Sequence, residues 1–143
     1  MPGGYMALDL SSLQKAVSSL ERAIKVASTT KGAVSIEQEE VIRAGVIQNF
    51  KFTYELCWKF IKRWLKKNDT SETVDGLTMK ELFRIAAEHL LIKNIESWFD
   101  YHKARNQTAH IYDERKAKEI FETVKKFLPD AQEFLKNIEN KND

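Results

Sequence analysis

The chain has 143 residues, 43% hydrophobic and 31% charged, enough for one domain to bury a core without staples. Five glycines, two prolines and one cysteine exclude a disulfide framework, favour long helices and make a reducing cytoplasm the expected compartment. The net charge of +2, from 23 basic and 21 acidic side chains, neither requires nor forbids nucleic acid, and no apolar run approaches the ~18 residues of a membrane span.

Residues 1–8 carry no helical pattern and are expected to be a disordered leader, with a single domain over 9–143. A first helix is expected from Asp9 or Ser11 to Ser28, where Leu10, Leu13, Val17, Leu20 and Ile24 alternate by three and four. Gly32 and two threonines mark a loop to Ser35. The second helix spans about Ile36 to Lys67, with Glu37, Glu39 and Glu40 suited to its positive N-terminal dipole. It carries two apolar stripes. Phe50, Tyr54, Cys57, Trp58, Ile61 and Leu65 form one; Gly45, Phe52, Leu56, Phe60 and Trp64 form the other. A helix greasy on two sides is covered on two sides, and a second copy of the chain is the expected cover for one of them. Towards its end lie Lys59, Lys62, Arg63, Lys66 and Lys67, a basic patch that also suits the negative end of the helix dipole.

Asp75-Gly76 reads as a turn. Thr78 with Glu81 forms a capping box for a third helix ending near His89. Asn94 is a candidate cap for a fourth helix reaching Arg105, and Asp113 for a fifth, which Pro129 is expected to kink or split. No period-two strand pattern appears, so the fold class is all-α: an up-and-down bundle of about five helices.

Most site chemistries lack residues. There is no glycine-rich phosphate loop and no Cys/His set with zinc spacing, so no cofactor and no metal are expected. Cys57, between Leu56 and Trp58, reads as core packing. His102 and His110, on one helix, stand about 12 Å apart, too far to share an ion. The remaining polar strip is Arg105-Asn106-Gln107-Thr108-Ala109-His110-Ile111-Tyr112. Arg105 and His110 are five steps apart, about 140° on an ideal helix, so they meet only if the arginine swings across or the helix changes course near Ala109. Asn106, at i+4 from His110, is placed to orient it, and Tyr112 falls in the turn before the next helix.

The strip fits the R-x4-H-x-Y motif and resembles HEPN-domain toxins. Gly45-Val46-Ile47-Gln48-Asn49-Phe50-Lys51-Phe52-Thr53-Tyr54-Glu55-Leu56-Cys57-Trp58-Lys59 resembles the long-helix motif of that family's nucleotidyltransferase substrate-binding branch. Lys51 departs from it, standing where an acid is expected. The resemblance covers the chain from about residue 9 and implies a metal-independent endoribonuclease acting as a homodimer. It also implies a cognate MNT-type nucleotidyltransferase as toxin–antitoxin partner. Arg105, Asn106 and His110 become the expected catalytic residues, RNA the substrate, and Tyr112 the position at which the partner attaches AMP. The rival expectation is a non-catalytic accessory subunit that binds nucleotide or substrate for a separate nucleotidyltransferase, because the same side chains would also grip phosphate.

Overall fold

Helices appear where apolar residues recur at three and four and acids or caps open the segment. The structure, a computed structural model, describes residues 7–68 and 74–142. It contains α1 (Ser11–Thr30), α2 (Ile36–Asn68), α3 (Met79–Glu88), α4 (Ile95–Gln107) and α5 (Glu114–Asn140), with short 3-10 turns at Val74–Gly76 and Thr108–His110. The described residues form no strand. The leader expected at 1–8 falls mostly outside the described residues; Leu8 itself pairs its amide and carbonyl with the Asn142 side chain, at 2.8 and 2.9 Å.

α2 is the spine. It packs along α1 and α5 and also meets α3 and α4. Its first stripe is buried at Phe50, Tyr54, Cys57, Ile61 and Leu65, and Trp58 is half-buried. The second stripe divides. Phe60 and Trp64 are buried within the chain's own fold, whereas Gly45 is exposed, Leu56 half-buried and Phe52 59% exposed. The surface left for another molecule is therefore the N-terminal part of that stripe.

The core centres on Phe127 of α5, whose ring lies 5.1 Å from Phe50 and Tyr101 and 5.7 Å from Trp98, all edge-on. Each such side chain contributes roughly 1.5–3 kcal/mol through burial. This cluster fixes α4 against α2 and α5, and so fixes where the polar strip starts.

Two local expectations are modified. The Thr78–Glu81 capping box forms in full, and Asp113 caps α5 by accepting from the Lys116 amide at 2.9 Å, but Asn94 makes no side-chain cap bond. Pro129 does not split α5, which runs unbroken through it. Buried Phe127, Ala131 and Phe134 clamp the helix on either side, and the Tyr101 hydroxyl reaches the Lys126 carbonyl and the Asp130 carboxylate across the proline. α3 ends near His89 as expected, and without glycine: Leu90 adopts φ 61, and amides of Leu90 and Leu91 return to Ala87 and Ala86 carbonyls. This is the crossed bonding of a Schellman ending.

Candidate functional site

The polar strip is not one helix. Arg105 and Asn106 occupy the last turn of α4, where the Thr108 hydroxyl donates to the Arg105 carbonyl at 2.6 Å. The chain then tightens into the 3-10 turn Thr108–His110, and Ile111 is extended, with φ −90 and ψ 101. A 3-10 turn advances about 120° per residue instead of 100°, so His110 leaves the register of α4 and Tyr112 stands in the link to α5. The change of course expected near Ala109 is present, yet no hydrogen bond joins Arg105 to His110 among the described residues.

Arg105 is held from α2. Its Nε donates to Glu55 Oε1 at 2.7 Å, while Trp58 Nε1 donates to Glu55 Oε2 at 3.0 Å. The Arg105 and Glu55 side chains remain 26% and 28% exposed, so solvent screens the pair and its contribution to stability is about 1 kcal/mol or less. Its consequence is geometric. A guanidinium gripped through Nε keeps its two terminal nitrogens available for a planar, two-point contact with an anion.

A second link runs beside the first. The Tyr54 hydroxyl lies 2.8 Å from His102 Nδ1, and the Asn106 amide nitrogen lies 3.4 Å from His102 Nε2. Asn106 thus bonds His102, one turn back, and not His110 as its i+4 spacing allows. The tightened turn carries His110 away from that face. Burial pushes the Tyr54 hydroxyl well above the usual tyrosine range, with Cys57 and Glu55 adding to the shift, so it stays protonated. Burial lowers the His102 pKa, Arg105 lowers it further, and Glu55 opposes both. Folding therefore disfavours the His102 cation, and the unfolded chain takes up the proton first as pH falls. Stability should be full above the ordinary value of 6.5 and decline as pH drops below it. Thermal unfolding across this range should show His102→Gln with a flatter profile than wild type; an identical slope would remove His102 as its source.

His110 and Tyr112 are both exposed, Tyr112 at 86%. The Tyr112 hydroxyl lies 3.3 Å from His110 Nδ1, with the rings stacked at 6.2 Å. Tyr101, next to His102 in sequence, turns inward and is 3% exposed. Lys51, where an acid was expected, lines a small cavity of about 200 Å³ with Gln48, Thr108, Ile111 and Glu114, against the junction carrying His110. Glu55 and Tyr54 were not legible as site residues, because their partners lie 50 and 48 positions away. The available signal was a tyrosine within an apolar stripe and, next to it, a carboxylate beside a run of basic residues. Among the described residues no group of three or more His, Cys, Asp or Glu side chains is arranged to hold a metal ion.

The chain is 32% identical over 139 residues to a Haemophilus influenzae protein named probable ribonuclease HepT, covering 94% of each. Its fold matches a solved Haemophilus influenzae structure described as a substrate binding domain of a nucleotidyltransferase, with a TM-score of 0.86 and 28% identity. That match covers 92% of this chain and 99% of the other. A Thermus thermophilus crystal structure shares the fold alone, at a TM-score of 0.71 and 23% identity, over 88% and 98% of the two chains. The family model for nucleotidyltransferase substrate binding protein like chains matches residues 8–140. With that match over nearly its whole length, this HEPN-like chain belongs to the nucleotidyltransferase substrate binding protein like family.

Proposed function

We propose that the chain is a HEPN-type toxin: a metal-independent endoribonuclease that works as a homodimer and is silenced when a cognate nucleotidyltransferase adenylylates Tyr112. The observation that carries this reading is the Arg105 guanidinium, held by Glu55 through Nε with its terminal nitrogens left for phosphate. Similarity to the Haemophilus ribonuclease-named protein supports the substrate class.

In the proposed reaction, the ribose 2′-oxygen attacks the adjacent phosphorus and the bond to the 5′-oxygen breaks. One imidazole removes the 2′-hydroxyl proton and another protonates the departing 5′-oxygen. A protomer supplies one motif histidine, His110, so a facing copy provides the second. Arg105 neutralises charge developing on the non-bridging oxygens. Asn106 acts through His102, which it bonds, stiffening the turn beneath Arg105. RNA incubated with the protein in EDTA should yield 2′,3′-cyclic phosphate ends. Intact RNA under those conditions favours the second reading, an accessory subunit that binds nucleotide or substrate for its nucleotidyltransferase, to which the family's description and the solved Haemophilus domain lend support.

The open part of the second α2 stripe, Phe52 with Leu56 and Gly45, supports self-association. Light scattering at micromolar concentration should give a dimer, and Phe52→Glu a monomer. A wild-type monomer would sink the two-histidine scheme.

A further inference from the structure

The basic patch on α2 is tied to the site through an aromatic ring. Glu55, Trp58, Lys59, Lys62 and Lys66 share one face of α2, within about 100° of arc and along about 16 Å. Contacts run along it without a gap. Arg105 meets Glu55 at 2.7 Å, Glu55 meets Trp58 at 3.0 Å, and the Lys59 and Lys62 ammonium groups lie 5.8 and 5.7 Å from the Trp58 ring centroid. Lys62 and Lys66 are then drawn to Asp75 at 3.1 and 2.8 Å.

Dipole complementation accounts for only part of this. It decays within the last helical turn, which here holds Lys66 and Lys67. Lys59 sits about two and a half turns from the end and Lys62 more than one and a half, both beyond the last turn and against an indole, and Lys59 forms no salt bridge among the described residues. A half-buried tryptophan flanked by cations and adjoining a phosphate-directed arginine matches single-stranded nucleic acid, which alternates flat bases with charged phosphates. Asp75 occupies the lysines as a phosphate would.

We propose that single-stranded RNA leaving the Arg105 grip runs along this face of α2, stacking a base on Trp58 and placing phosphates on Lys59, Lys62 and Lys66, with Asp75 as an internal competitor. The proposal rests on the reading, within the proposed function, of Arg105 as a residue that grips an RNA phosphate. It adds a binding track that the cleavage chemistry itself does not need.

The test uses full-length His110→Ala protein, so that binding is read without cleavage, and an oligouridine of about eight nucleotides. Trp64 and Trp98 are buried, at 7% and 1% exposure, so fluorescence quenching on titration reports mainly Trp58. Quenching is expected, and Trp58→Ala should weaken binding about tenfold or more. Because Trp58 also supports Glu55, two surface variants complete the test. Lys59→Ala should lower the slope of log affinity against log salt by about 0.7. Asp75→Asn, whose side chain is 69% exposed in the parent, should tighten binding by freeing two lysines. Binding without quenching, or with Lys59→Ala and Asp75→Asn both unchanged, overturns the track. Wild-type affinity in variants that lose only a protein partner assigns the face to that partner instead. A track that binds RNA in a wild-type protein that never cleaves would leave this inference standing and overturn the endoribonuclease.

Discussion

Arg105→Ala and His110→Ala should each nearly abolish RNA cleavage while leaving helicity unchanged. Loss of a positioned proton-transfer group costs about 10²–10⁴ in rate, and loss of a preorganised donor to developing oxyanion charge about 10²–10³. Neither residue lies in the core: His110 is exposed and Arg105 about a quarter exposed, so circular dichroism should not distinguish the variants from wild type. Arg105→Lys should remain poor, since an ammonium cannot reproduce a planar two-point grip. Glu55→Ala separates positioning from chemistry. It removes the carboxylate on Arg105 Nε without touching substrate, and misplacement alone costs up to about a hundredfold. Its loss should therefore be smaller than that of Arg105→Ala, and should largely disappear in an Arg105→Ala background. Cleavage that survives both single substitutions would place the activity at another site or in a contaminant.

The contrast between Arg105 and Asn106 shows how far the sequence carries. Local signals transfer well: the Thr78–Glu81 box and the Asp113 cap form from residues three positions apart. Pro129 does not split α5, because its penalty is local whereas the packing of Phe127, Ala131 and Phe134 that holds the helix together is not. The ending of α3 carries no glycine, and Leu90 takes the left-handed position because flanking Leu91 and Ile92 are drawn into the core. The motif itself was visible as spacing, but its wiring was not. A period of four offers Asn106 both His102 and His110; the 3-10 turn carries His110 away and leaves His102. The Glu55–Arg105 contact joins α2 to α4, with α3 between them in sequence, and only tertiary packing reveals it. The second apolar stripe of α2 was read as one surface, although its Phe60 and Trp64 half is consumed by the chain's own core.

Adenylylation of Tyr112 should abolish cleavage as completely as loss of His110. Tyr112 is 86% exposed in an extended link, so a partner enzyme has access to its hydroxyl without unfolding either helix. In the transfer, the phenolic oxygen attacks the α-phosphorus of ATP, pyrophosphate leaves, and a base on the partner takes the phenolic proton. The hydroxyl that now lies 3.3 Å from His110 Nδ1 becomes a phosphodiester. Two consequences follow at that spot: the His110–Tyr112 contact is lost, and a fixed negative charge enters a cleft that must admit an RNA phosphate. Incubation with the cognate nucleotidyltransferase, ATP and Mg²⁺ should add one adenylyl group at Tyr112 by intact-mass measurement, and cleavage should fall in step with the modified fraction. Tyr112→Phe removes the acceptor and should block modification. If the hydroxyl takes no part in the chemistry, the Phe variant should still cleave RNA and resist silencing by the partner. An unchanged mass, or a label on another residue, would remove Tyr112 from the control mechanism. Modified protein that still cleaves would show that this junction does not gate the RNA site.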